Sequence, residues 1–143
     1  MDVNKQKILD FIKNKKLTVL STINSRNRPE SAVVAFSETD RLELIFGTFN
    51  TTRKYRNLQN NKNVALVIGW DEKENITVQY EGLAKEVENK EFEKLIAIHL
   101  NKNPFSKTYA FDDKQKYFKI TPKWIRYSNL SVKPKEVFEI GFD

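Results

Sequence analysis

The chain has 143 residues, of which 39% are hydrophobic and 12% aromatic, values that suit one folded domain and exclude a disordered chain. It contains no cysteine, which excludes disulfide bonds, thiolate metal sites and a catalytic thiol. The net charge of +6 comes from lysines scattered among asparagines and glutamates, and this scatter favours a solvated surface over a nucleic-acid interface.

The N-terminal segment predicts an amphipathic helix over residues 4–15. Ile8, Leu9, Phe11 and Ile12 fall on one face of that helix. The segment lacks the apolar core of a signal peptide, and no apolar run in the chain reaches the roughly 20 residues that a membrane span needs. We therefore expect a cytoplasmic protein with neither a membrane nor a nucleic-acid partner.

Three segments rich in alternating apolar and β-branched residues follow the first helix, joined by short polar turns. Such connections predict an antiparallel meander of three strands. The later strands are separated by two further helices and by loops, and the tail after residue 128 is expected to be irregular. The predicted strands cover residues 17–24, 30–37, 42–48, 64–70, 76–88 and 116–128, and the later predicted helices cover 51–60 and 89–103.

About six antiparallel strands and three helices predict a mainly β fold. A sheet of this size removes its edges by closing into a small barrel, which the helices then flank. Gly82 inside the fifth strand predicts a bulge or bend, and Pro122 interrupts the last strand. No repeat or linker divides the sequence, so residues 1–143 are expected to form one domain.

The stretch GTFNTTRKYRNL, from Gly47 to Leu58, is the strongest candidate site. Thr52 is placed to cap the predicted helix, Arg53 and Lys54 follow in its first turn, and Thr48 ends the preceding strand. A helix N-terminus presents free N–H groups and a partial positive charge, which suit a phosphate. A capped helix with a solvated basic turn is the alternative, and the stretch taken alone favours it.

The order of motifs around this stretch resembles the pyridoxamine 5'-phosphate oxidase-like split-barrel family, which binds flavin mononucleotide (FMN). LIFGTFNTTRKYRNLQNNKNVALVIG is similar to the family's succession of a strand ending in Thr, a Thr-Arg-Lys run, a short helix and a Val-Ala-Leu strand. VQYEGLAKEV resembles the family's fifth strand, and YFKITPKWIRYSN its late strand with a Trp and an Arg. The resemblance covers nearly the whole chain and implies a split β-barrel that forms a homodimer with FMN at the subunit interface.

The resemblance also implies roles for individual residues and a chemistry. The chemistry is FMN-dependent oxidoreduction of an unidentified small molecule, although no catalytic residue and no metal site stands out. We expect the strand over 64–70 and the region of Trp124 to supply the subunit interface. Thr48, Thr52, Arg53 and Lys54 would hold the FMN phosphate, Val33, Val34 and Ala35 would lie along the isoalloxazine ring, Thr77 would lie near the ring, and Trp124 and Arg126 would reach the partner's cofactor.

Departures from the family pattern shape the expected function. The oxidases carry an Arg and a Lys where this chain has Ala32 and Ser37, so pyridoxamine phosphate itself is not the expected substrate. A non-catalytic flavin- or haem-binding module for storage or sensing is the alternative function, and a deazaflavin is an alternative cofactor. His99 is the only histidine. We expect it to be a helix-surface or semi-buried residue rather than a proton donor or haem ligand.

Overall fold

The computed structural model describes residues 2–69 and 71–143, which form three α-helices, eight β-strands and one short 3-10 helix. Trp70, at the end of the predicted strand 64–70, lies outside the described residues. None of the helices within this described part is long and apolar enough to cross a bilayer. The elements are α1 (Val3–Lys13), β1 (Leu17–Ile23), β2 (Pro29–Ala35), β3 (Ser37–Glu38), β4 (Leu44–Phe49), α2 (Arg53–Asn60), β5 (Asn63–Ile68), β6 (Ile76–Glu86), α3 (Asn89–Lys102), the 3-10 helix (Pro104–Thr108), β7 (Gln115–Asn129) and β8 (Glu136–Gly141).

The strands form one antiparallel sheet in the order β2-β1-β5-β6-β7-β4-β3, with β8 paired to β7. β2 and β3 lie at opposite ends of this order, although only Phe36 separates them in the chain. The sheet must therefore curl until its two ends meet, and this curl produces a split barrel. The predicted mainly β split barrel with three helices is confirmed.

The predicted meander of the first three strands is wrong. β1 pairs with β2 from Leu17 to Ile23, but β4 pairs with β7 instead of β2. Phe36 is only 1% exposed and anchors the corner at which the chain crosses from one end of the sheet to the other. A short connection between two strands therefore does not guarantee that they pair. A buried residue at a corner can direct the following strand to a different partner.

The expected irregular tail is also wrong, because Glu136–Gly141 forms β8. β7 is 15 residues long and makes this strand possible. The first part of β7 pairs with β4, and its last part pairs with β8 along the same edge. β6 occupies the other edge of β7.

The bulge expected at Gly82 is present. Glu81 pairs with Trp124 and Gly82 with Pro122, so Lys123 is the extra residue and the bulge lies on β7 opposite the glycine. A Cβ at Gly82 would stand 2.5 Å from the carbonyl oxygen of Thr121, so the close approach of the two strands requires glycine here.

The interior of the barrel is filled by side chains. The predicted apolar face of α1 is confirmed, since Ile8, Leu9, Phe11 and Ile12 are all buried. The hydroxyl of the buried Tyr80 crosses the core to donate to the carbonyl oxygen of Leu42 at 2.7 Å. Because a small barrel packed in this way has no room for a large ligand, binding sites must lie outside the barrel wall.

Candidate functional site

A groove of about 330 Å³ lies on the outside of the barrel, where the two ends of the sheet meet. Residues 33–35 of β2 form one wall. The end of β4 and the start of α2 form the second wall, and α3 with the segment after it forms the third. The groove therefore combines residues that are far apart in sequence, and it includes six of the residues with a predicted role in the site: Val33, Val34, Ala35, Thr48, Thr52 and Lys54.

Two threonine hydroxyls meet at the start of α2. The Oγ1 atoms of Thr48 and Thr52 are 2.9 Å apart, and Thr48 is 5% exposed. Thr52 is the N-cap, because its side chain accepts a hydrogen bond from the backbone N–H of Tyr55 at 3.3 Å. The capped helix is thus real, and it directs its N-terminus and two hydroxyls toward the groove, so the cap and the binding interpretation are compatible.

The two neighbouring cations of α2 have different surroundings. Lys54 lines the groove and is half-buried, and this burial lowers the pKa of its ammonium group. Among residues 2–69 and 71–143, no carboxylate lies within 4.0 Å of its Nζ. Arg53 is 67% exposed and places its Nη1 atom 3.3 Å from Glu30 Oε2, outside the groove. The structure therefore brings Lys54 to the threonine pair and places Arg53 on the adjoining side of the helix.

His99 forms part of the third wall. The expectation of a surface or semi-buried histidine is wrong, since His99 is 2% exposed and packed against β3 by α3. Its Nδ1 lies 2.9 Å from the hydroxyl of the fully buried Ser37. Burial, and secondarily the charge of Lys102, lowers the pKa of His99 to about 4, so the imidazole is neutral at physiological pH. A neutral ring bonded at Nδ1 is a fixed polar group in this wall.

Ser106, Tyr109 and Gln115 complete the third wall and were absent from the predicted site. They lie in a segment without periodicity, which gave no sequence signal. The pairing of Phe49 with Gln115 between β4 and β7 brings this segment to the groove. The ring of Tyr109 contacts that of Phe49 edge-on, with 6.0 Å between centroids.

Besides Arg53, three predicted residues lie away from the groove. Thr77 pairs with Ser128 in the β6–β7 ladder. Trp124 and Arg126 share one strand face, as predicted from their spacing, and both bind Glu139 of β8. The Trp124 Nε1 atom is 2.9 Å from one carboxylate oxygen, and the Arg126 Nη1 atom is 2.7 Å from the other. The structure does not bring Thr77, Trp124 or Arg126 to the lining of the groove.

Comparison with known families identifies the chain. The model of the pyridoxamine 5'-phosphate oxidase family matches residues 5–129. The chain belongs to the pyridoxamine 5'-phosphate oxidase family. The match extends from α1 to the end of β7 and so includes every wall of the groove. No curated protein matches the sequence.

Several solved structures of other proteins share this fold. A heme-binding protein from Mycobacterium smegmatis has a TM-score of 0.85 at 14% identity, covering 99% of this chain, which spans 59% of that protein. HutZ, the heme storage protein of Vibrio cholerae, has a TM-score of 0.73 at 18% identity, covering 82% of this chain and 89% of HutZ. General Stress Protein 26 of Bacillus anthracis has a TM-score of 0.72 at 26% identity, covering 96% and 98%. These likenesses show that the chain shares its split-barrel fold with these proteins.

Proposed function

We propose that the chain binds FMN in the groove and is a flavin-dependent oxidoreductase. The observation that carries this proposal is Lys54, a half-buried ammonium group without a carboxylate partner among the described residues, which lines the same groove as Thr48 and Thr52. Partial desolvation raises the free energy of a charged group, and an opposite charge nearby offsets that cost. A phosphate at the start of α2 would supply that charge. It would also accept a hydrogen bond from each threonine hydroxyl that turned its single proton away from its present acceptor, which for Thr52 is the carbonyl oxygen of Phe49 at 3.0 Å.

The β2 wall suits the flat, polar edge of a flavin ring. Among the described strands β2 pairs only with β1, so its other edge has backbone N–H and C=O groups free of ladder pairing. Val33 and Val34 add apolar surface along the same wall. When bound there, FMN would supply two-electron transfer, and the protein would supply orientation and exclusion of water.

The residues near the proposed ring site do not favour pyridoxamine phosphate as the substrate. Ser37 is fully buried and bonded to His99, and Ala32 carries no charge, so neither position offers a cation to a second phosphate. Among the described residues that line the groove, Lys54 is the only cation. A substrate of low charge fits a wall made of His99, Ser106 and Tyr109.

A homodimer would complete the site. The outer face of β2, β1 and β5 carries a row in which Val19 pairs with both Val33 and Val67. Val33 is 60% exposed and Val67 is 39% exposed on either side of Val19, so the row presents apolar surface to the outside of the sheet. Burial of this row against a second copy would bring a partner subunit beside the groove wall, and the Trp124 and Arg126 pair is then available to the partner's ring.

Titration of FMN tests the phosphate site. Lys54→Met should weaken FMN binding by about tenfold to over a hundredfold, because a charge-assisted hydrogen bond contributes roughly 1.5–3 kcal/mol. Lys62→Met is the matched control, since it removes one charge from an exposed lysine outside the groove. Riboflavin, which lacks the phosphate, should bind both variants alike. Equal FMN affinity in the Lys54→Met and control proteins would refute the assignment.

Sedimentation tests the dimer. We expect a mass of about twice 16.8 kDa for the unmodified chain. Val67→Glu should produce monomers and weaken FMN binding, whereas Val132→Glu, a charge introduced at an exposed loop valine, should do neither. A monomer that binds FMN with unchanged affinity would contradict the shared site.

Haem binding is the second candidate function. Two of the similar structures are heme proteins, and His99, the only histidine of the chain, lines the groove. Its Nδ1 is already bonded to Ser37, so Nε2 is the ring nitrogen left for a ligand. Titration with haemin, followed at the Soret band in the unmodified chain and in His99→Gln, tests this function. A haemin affinity that exceeds FMN affinity and is lost in the variant would favour it over flavin chemistry.

A further inference from the structure

Four arginines surround a hollow of about 360 Å³ next to the start of α2. Arg26 and Arg28 come from the turn between β1 and β2, and Arg53 and Arg56 lie one helical turn apart on α2. We call this feature the arginine hollow. One carboxylate, that of Glu30, shares its lining, so the balance of formal charge is three positive.

Hydrogen bonds with Asn24 fix the backbone of the turn that carries Arg26 and Arg28. The side-chain oxygen of Asn24 accepts from the backbone N–H groups of Arg26 at 2.9 Å and Arg28 at 3.1 Å. The carbonyl oxygen of Arg28 in turn accepts from the backbone N–H of Asn24 at 2.9 Å, and Asn27 adopts a left-handed conformation with φ 59°. Both arginine side chains therefore start from fixed backbone positions.

A buried amide joins this turn to the helix. Asn57 of α2 is 6% exposed and donates to Thr22 Oγ1 and to Glu30 Oε1, both at 2.9 Å. Asn24 donates to the other oxygen of Glu30 at 3.1 Å, and Arg53 lies 3.3 Å from that oxygen. The hydrogen bonds from Asn57 and Asn24 lower the pKa of Glu30, so its carboxylate remains charged and occupied by these partners.

The other three arginines of the hollow lack such a partner. Within the described ranges 2–69 and 71–143, only Arg53 of the four lies within 4.0 Å of a carboxylate. Arginine stays protonated in proteins, so this cluster cannot relieve its repulsion by losing a proton. Guanidinium groups bind phosphate through two parallel hydrogen bonds, and a cluster of them matches an anion that carries several charges.

The arginine hollow connects to the groove through shared residues. A small hollow of about 110 Å³ has Glu30, Arg53 and Lys54 in its lining. Arg53 and Glu30 also line the arginine hollow, and Lys54 also lines the groove. One extended ligand can therefore pass from the ring wall, past Lys54, to the arginines.

We propose that the arginine hollow is a second phosphate subsite, which takes the distal phosphate of a diphosphate-bearing nucleotide. The inference rests on the proposed function, because that function places the first phosphate at Lys54. Two ligands share this chemistry. One is a flavin dinucleotide that occupies groove and hollow together, and the other is a nucleotide diphosphate that binds beside FMN.

The test uses the full chain, with Arg26→Gln, Arg28→Gln and Arg56→Gln combined, and calorimetry near 0.15 M salt. Arg53 is left unchanged because it pairs with Glu30. The control combines Lys13→Gln, Lys90→Gln and Lys135→Gln, which removes the same charge from exposed positions outside the hollow. Inorganic pyrophosphate should bind the unmodified chain, and its affinity should fall about tenfold or more in the arginine variant but not in the control.

The flavin measurements distinguish the two ligands. For a dinucleotide, FAD affinity should fall about tenfold or more in the arginine variant while FMN affinity changes less than about twofold. For a separate nucleotide, ADP should bind the FMN-saturated chain and lose affinity in the variant. The inference would be overturned if pyrophosphate did not bind, or if it bound equally to the arginine variant and the control. It would also be overturned if the arginine variant lost affinity for a DNA oligonucleotide but not for pyrophosphate. If the arginine variant loses pyrophosphate affinity but no flavin binds to the chain, the flavin function is refuted and the anion subsite is supported. If FMN binding depends on Lys54 but the arginine variant and the control bind pyrophosphate equally, the anion subsite is refuted and the flavin function is supported.

Discussion

Acidification should destabilise the protein through His99. The folded protein holds this imidazole neutral with a pKa of about 4, against an ordinary value of 6.5, mainly because it is buried and secondarily because Lys102 is near. Its other contacts are the Ser37 hydroxyl and the ring of Tyr117, whose centroid is 5.8 Å away. The unfolded chain therefore binds a proton at a higher pH than the folded chain does, and the free energy of unfolding falls as the pH falls from about 6.5 to about 4.

The magnitude follows from the two pKa values. The gap between 6.5 and about 4 corresponds to about 3 kcal/mol over the whole window, and about 2 kcal/mol of this is lost by pH ~5. Urea unfolding at pH ~7.5, ~6 and ~5 measures it. His99→Gln is the matched variant, because glutamine keeps a polar partner for Ser37 but does not titrate.

The test compares how the free energy of unfolding changes with pH in the unmodified chain and in His99→Gln. The free energy of unfolding of the unmodified chain should fall by about 2 kcal/mol more than that of His99→Gln between pH ~7.5 and ~5. Glu30 does not contribute to the change in the free energy of unfolding over this pH range. Its pKa is lowered from 4.5, so its stabilising effect is lost only at lower pH. Parallel pH profiles for the two proteins would refute the assignment of a buried neutral imidazole.

Three further outcomes are expected. Tyr80→Phe removes the buried hydrogen bond to the carbonyl of Leu42 and should cost about 1–3 kcal/mol in urea unfolding, without changing the fold seen by circular dichroism. Gly82→Ala sets a Cβ 2.5 Å from the backbone oxygen of Thr121, so calorimetry should show a lower Tm and a cost of about 1–3 kcal/mol, whereas Gly141→Ala, with nothing within 4 Å, should be tolerated. Pyridoxamine phosphate should not be oxidised, and an aerobic peroxide assay that finds turnover of about 1 per second or more would contradict this.

Local sequence patterns predicted most of the fold. The apolar spacing in α1 and the alternation in β1 appear in the structure because each reflects one element packing against the core. The strand β8 was missed because its apolar residues are only partly buried, and a half-exposed edge strand next to Pro134 resembles an irregular tail. Pairing partners were harder still, since β4 pairs with β7, which lies far away in the chain.

The candidate site divides in the same way. Thr48, Thr52 and Lys54 are close in sequence, so a cap motif and a family resemblance were enough to bring them together. His99 and Gln115 reach the groove only through the docking of α3 and the pairing of β4 with β7. No spacing rule connects such distant segments, and their contribution became visible only in three dimensions.

The position of β4 in the sheet has a consequence for synthesis on the ribosome. β4 ends at Phe49, but the strand that pairs with it along its length begins at Gln115. During translation, the edge of β4 that will pair with β7 therefore stays unpaired until β7 has been made. The hairpins β1–β2 and β5–β6 can form before then. Non-local pairing of this kind is slow and exposes strand edges to other chains. Closure of the barrel is thus a late event, and nascent chains that stall before β7 should be the species that chaperones hold.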